Sequence, residues 1–137
     1  SVQTIKKTIG NVGGSGCDYY FASAADKVEQ PINLGAILPA LCRVVDVFIH
    51  TNAAFTNLGA LGTKVGLTTG TDTFIASANI TALNAIASAA AGGAFISAPI
   101  TTAQNIWVSA TPGNNWDSAN PVGKMSVYVT FIDVANI

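Results

Sequence analysis

The chain has 137 residues, 50% of them hydrophobic and only 9% charged, with a formal net charge of -1. Its length suits one domain that can bury most of its apolar surface without metal or disulfide support. Near-neutral charge, with six scattered cations of which only Lys6 and Lys7 are adjacent, excludes the basic stripe a nucleic-acid-binding domain needs. It equally excludes a polybasic membrane patch.

The low charge sets the main problem. Average soluble domains carry about 25% charged residues, and here no Asp, Glu, Lys or Arg occurs between Asp72 and Asp117. A surface so poor in charge points to coverage by copies of the chain or by a larger assembly. The most apolar window, 82–100, is interrupted by Gly92, Gly93 and Pro99 and contains Asn84, Ser88 and Ser97, so it does not read as a membrane span. The N-terminus lacks the basic-then-apolar order of a signal peptide. Ser1 reads as what remains after an initiator Met is clipped, which would make this a mature protein made in the cytosol.

In chain order, 2–9 predicts a first strand or an extended arm, and 11–16 a glycine-rich loop. The segment 1–16 is therefore either an edge strand or a hinged arm in which Lys6 and Lys7 dock on a neighbour, and 17–137 is a single β-sandwich domain. Cys17 and Cys42 do not define a disulfide framework. They read as free thiols with at least one buried, a single bridge being the alternative outside a reducing cytosol. Tyr19 to Phe21 is strand-like, and 30–37 opens on Pro31, which suits a strand start or edge.

The strongest strand is 43–51. Period-two parity places Val45, Val47 and Ile49 on the core face and Asp46, Phe48 and His50 on the other. Residues 58–70 carry four glycines but no Gly-Lys-Ser/Thr ending, so they predict a hairpin and not a phosphate loop. A strand follows over 72–80. Residues 82–91 predict one short Ala-rich helix, capped by Asn79 or Thr81, with Leu83, Ile86 and Ala90 at helical spacing and Gly92-Gly93 as its stop. Strands at 95–97, 105–110 and 124–134 complete the list. About eight short strands between regular turn signals predict an all-β, jelly-roll-like sandwich.

Catalytic patterns are weak. His50 is the single histidine, which excludes a multi-histidine metal site within one chain. Asp46 lies four residues back along an extended strand, too far for a direct bond, and no Gly-x-Ser-x-Gly elbow is present. The seven acids form neither a calcium loop nor a recognisable glycosidase pair. The sequence thus predicts no enzyme, no cofactor and no metal. The loop Asn114, Asn115, Trp116, Asp117 sets an aromatic ring among amides and a carboxylate, a way to hold a sugar. The same ring could instead cover one end of the sandwich or meet a neighbouring subunit. Trp107, in mid-strand, reads as packing or interface.

The order of segments carries a resemblance. Ile32-Asn33-Leu34-Gly35-Ala36-Ile37 is followed by Ala40-Leu41-Cys42-Arg43-Val44-Val45-Asp46-Val47. Then come Val65-Gly66, the run from Thr73 to Ile80, and Gly123-Lys124-Met125-Ser126-Val127-Tyr128-Val129. Over residues 30–134 this resembles the small β-sandwich accessory proteins of tailed-bacteriophage virions. The long shaft or coiled coil of a tail fibre is missing, as are the helix and long arm of an HK97-like major capsid protein. The resemblance implies a capsid decoration (cement) or fibre-type protein at the virion surface. It would form a homotrimer and bind the major capsid protein or another virion protein. A carbohydrate- or host-receptor-binding module of a fibre or tail, recognising a surface glycan, is the alternative it implies. It supplies no catalytic residues.

Overall fold

The computed structural model describes residues 2–89, 100–118 and 121–133. Nine strands follow in chain order: β1 (Val2–Gly10), β2 (Tyr19–Tyr20), β3 (Gln30–Asn33), β4 (Cys42–Ala53), β5 (Leu61–Gly66), β6 (Ile75–Asn79), β7 (Ile86–Ser88), β8 (Trp107–Pro112) and β9 (Lys124–Asp133). They form a five-stranded sheet, β2-β1-β9-β4-β7, and a four-stranded sheet, β3-β8-β5-β6. Every pairing is antiparallel except β1 with β2.

The core is a single cluster fed by both sheets. Alternation does the sorting: on β9, Val127, Val129 and Phe131 are buried while Tyr128, Thr130 and Ile132 are only half-buried. They meet Val44, Val47 and Ile49 of β4, and Ile32, Val65, Ile75, Val108 and Ala110 of the smaller sheet. No buried side-chain polar atom among the described residues lacks a hydrogen-bond partner. Pro31 lies on β3, an outer strand of its sheet, where a missing N–H is tolerated.

Two expectations change. First, the register of β4 against β9 shifts between Val44 and Asp46. This bulge breaks the simple parity. Val44, Val47 and Ile49 are buried, while Val45 is 37% exposed and leaves the core face.

Second, no helix forms over the described part of 82–91, residues 82–89. Ala85 N–H donates to the Ala82 carbonyl in a turn, with Asn84 at a φ of 63°. Thereafter β7 runs beside β4, pairing Ala87 with Ile49. Asn84 N–H donates to Thr51, Thr51 N–H to Ala85, and Ala89 N–H to Val47. The anticipated cap, Asn79, instead accepts from its own neighbour Thr81 and from the Leu61 N–H. A helix this short gains little by itself. Pairing along β4 satisfies backbone groups that a helix would have left open at the sheet edge. Residues 90 and 91, the strand expected at 95–97, and Val134 lie outside the described residues. The remaining predicted strands are found with shifted ends.

Candidate interaction surface

The loop singled out by its aromatic ring is knitted into the protein. Trp116 N–H donates to the Asp26 carbonyl at 3.0 Å and Asp117 N–H to Ala24 at 2.9 Å. Asn114 N–H donates to Leu58 at 2.8 Å. The Asn115 carbonyl accepts from the Ser118 backbone and hydroxyl. The Trp116 ring is 0% exposed. It stacks on Phe21 with centroids 4.7 Å apart, and Phe21 meets Phe55 edge-on. Its indole N–H donates to the Val28 carbonyl at 2.8 Å. Gly123 is required here, because a Cβ would stand 2.2 Å from the Phe55 ring. This ring is therefore part of the buried core and has no face open to a sugar.

Trp107 is half-buried on β8, between Asn33 and Gly66 in the register. The outer side of its sheet carries the loop that follows β5. Thr71 folds so close over Gly66 that a Cβ there would meet its hydroxyl at 2.1 Å. Gly70 N–H donates to Ser109 Oγ, and Lys64 Nζ donates to the Gly70 carbonyl and pairs with Glu29 at 3.0 Å. The smaller sheet thus covers part of its own outer surface.

On the larger sheet the described residues cover less, the turn before β7 reaching His50 through Asn84. Register sets Lys6, Tyr128, Phe48 and Ser88 in one row across β1, β9, β4 and β7, with Thr8, Ser126, His50 and Ile86 in the next. Tyr128 and Phe48 stack at 4.6 Å, and Lys6 Nζ lies 5.8 Å from the Tyr128 centroid. Ile86 is 66% and the nearby Leu83 58% exposed. On this face a stacked aromatic pair and the exposed Leu83 and Ile86 lie among the exposed charges of Lys6, Asp46 and Arg43. Parity along the sequence puts Phe48 on the non-core face of its strand. Only the register of β4 against β9 shows that it stacks on Tyr128.

His50 serves this face structurally. Its Nδ1 accepts from Asn52 Nδ2 at 3.1 Å, so Nε2 carries the proton and donates to Asn84 Oδ1 at 3.0 Å. Asn52 in turn accepts from Ser126 Oγ at 2.6 Å. The network ties the turn before β7 to the sheet. Among the described residues, no three His, Cys, Asp or Glu side chains gather as a metal donor set. Among the described residues there is no helix long and apolar enough to cross a membrane.

Lys6 and Lys7 lie on β1, whose whole length pairs with β9. Cys17 is half-buried and Cys42 buried, both as free thiols. Burial pushes the Cys42 thiol up, and the nearby Asp133 charge adds to the effect.

No protein-family model matches the chain, and no curated protein does. Two solved structures share its fold. A chain from the capsid of Ralstonia phage GP4 superposes with a TM-score of 0.61 at 14% identity, covering 97% of this chain and 84% of that one. A chain of the cyanophage Pam1 capsid asymmetric unit gives 0.54 at 19% identity, covering 95% and 83%. The chain is thus an all-β, two-sheet protein whose fold is similar, end to end, to chains found in phage capsids.

Proposed function

We propose that this chain is a structural protein of a bacteriophage virion, a small capsid accessory (decoration) protein that self-associates as a homotrimer and binds the capsid surface. The observation that carries the reading is the end-to-end likeness to two chains from phage capsids. Because nearly all of this chain spans 83–84% of each neighbour, those neighbours are themselves small chains. That size favours an accessory part over a shell-forming subunit.

Topology supports the same reading. With β2 set aside, the orders β1-β9-β4-β7 and β3-β8-β5-β6 are those of an eight-stranded double Greek key, the jelly roll common in viral coats. The exposed outer face of the larger sheet, around Tyr128, Phe48 and Ile86, is the surface we assign to contacts within the assembly. Its aromatic and apolar centre with charges around it matches the anatomy of protein interfaces. We assign no enzymatic role: His50 is held between the amides of Asn52 and Asn84. The glycan-binding alternative loses its main support with Trp116 buried.

The test is mass spectrometry of gradient-purified particles of the encoding phage, together with light scattering of the isolated protein. Many copies per particle and a trimer mass are expected. Absence from particles, together with a stable micromolar monomer that ignores capsids, would refute the proposal.

A further inference from the structure

β1 leaves one side of the larger sheet open. All nine of its residues pair with β9, but on the far side only Ile9 and Gly10 are paired, to Tyr19 and Tyr20. In an antiparallel ladder alternate residues turn both backbone groups away from the partner strand. Thr8 is one of these: its N–H donates to Asp18 Oδ2 at 2.8 Å, and its hydroxyl to the same oxygen at 3.0 Å. The unbroken register gives Val2, Thr4 and Lys6 the same orientation, and no described residue meets their outward backbone groups. At Thr8 the fold supplies its own acceptor, and from Lys6 back to Val2 the described residues supply none.

Length separates this edge from the others. The remaining outer strands β3, β6 and β7 have four, five and three residues, and natural sheets commonly guard their edges by keeping them short. A cleft of about 370 Å³ opens beside β1, lined by Ile5, Lys7, Tyr19 and the chain from Leu34 to Ile37. Ile5 and Lys7 share the inner side of β1, opposite Val129 and Val127. A strand added to this edge would direct every second side chain toward that cleft.

We infer that the open edge of β1 is a strand-addition site for an extended, acidic segment of another protein. The segment would pair with β1 from Val2 to Lys7 and seat alternate side chains against Ile5 and Ile37. Unpaired backbone groups at two-residue spacing call for an extended polypeptide. Charge selects its chemistry. Lys7 lines the cleft at the edge and Lys6 stands on the outer face with its Nζ toward the Tyr128 ring; neither is in an ion pair among the described residues, and the Asp18 carboxylate at this edge is taken up by Thr8. A second copy of β1 added parallel and in register would set lysine beside lysine, and like charges across strands are destabilising. The lysines disfavour basic strands and that in-register copy, and admit a strand carrying carboxylates. This inference is independent of the virion reading, since the peptide can fail to bind while the chain is still found in particles.

The experiment titrates isotope-labelled full-length protein with a short alternating Glu-Val peptide, using a Lys-Val peptide as control. The acidic peptide should shift the Thr4 and Lys6 amide resonances and slow their hydrogen exchange about tenfold. The basic peptide should do neither. Thr4→Pro deletes one outward N–H, spares the backbone bonds to β9 at the loss of the Thr4–Thr130 hydroxyl contact, and should abolish the response. The double variant Lys6→Glu, Lys7→Glu should reverse the peptide preference, and it reads out the site even where the proline variant fails to fold. An equal response to both peptides, no response at millimolar peptide, or shifts confined to other strands would overturn the inference. Slowed exchange at Thr4 and Lys6 with protein concentration alone would also overturn it, because the occupant would then be a second copy.

Discussion

Replacing Trp116 with Ala separates a ring that closes the core from a ring that reads a ligand. The side chain is 0% exposed, stacks on Phe21 and donates to the Val28 carbonyl. Large-to-small changes of a buried Trp cost about 3–5 kcal/mol. An orphaned carbonyl adds to this wherever water cannot reach it, so about 4 kcal/mol is a fair central figure. Small domains are stable by only about 5–15 kcal/mol, so the change removes a large share of the total. With a urea slope of about 2 kcal/mol per molar, the unfolding midpoint should fall by about 2 M. Trp116→Phe keeps a stacked ring and loses only the N–H donor and some volume. It should cost about 1–2 kcal/mol, a midpoint shift below about 1 M. Both are read by urea denaturation at one fixed protein concentration, because self-association would itself shift the midpoint. A Trp116→Ala protein within about 0.5 M of the parent would refute the burial argument, above all if it lost partner or glycan binding.

Four further outcomes follow from the same geometry. Leu83→Ser and Ile86→Ser alter exposed groups and should change stability by about 0.5 kcal/mol or less, yet weaken self-association about tenfold or more; unchanged sedimentation would remove this face from the interface. Asp18 is held below its ordinary carboxylate range, first by the Thr8 N–H and then by the Thr8 hydroxyl. A depressed folded-state value stabilises above the unfolded value and fades as pH falls through it, so Asp18→Asn should cost more at pH 6 than at pH 3, and a pH-independent difference in thermal midpoints would contradict this. Alkylation of the native protein, followed by mass spectrometry, should label Cys17 well before Cys42, whose buried thiol resists ionisation; equal rates would show that β4 opens readily. Deleting residues 1–11 strips β9 of a partner and takes Ile9 from the core, so cooperative unfolding should vanish, whereas a folded truncated protein would make β1 a detachable arm.

Sequence alone carried the all-β class, most strand positions and the scarcity of charge, because hydrophobic alternation and turn residues are local signals. Local signals failed where a partner strand decided the outcome. Alanine propensity and helical spacing argued for a helix at 82–91, but β4 offered unpaired backbone groups and drew Ile86–Ser88 into the sheet. The bulge at Val45 arose from pairing with β9, which no parity count along one strand can register. Trp116 looked like a ligand ring because its neighbours in sequence are polar. Its neighbours in space are Phe21 and the Val28 carbonyl, brought there by backbone bonds to 24–26. The uncharged run therefore did not mark a single surface. It supplies the buried Trp116, strands of both sheets and, at Leu83 and Ile86, part of an exposed outer face. That face and the open edge of β1 exist only once the register is set, because strand pairing decides which residues stand side by side and which backbone groups remain unmet.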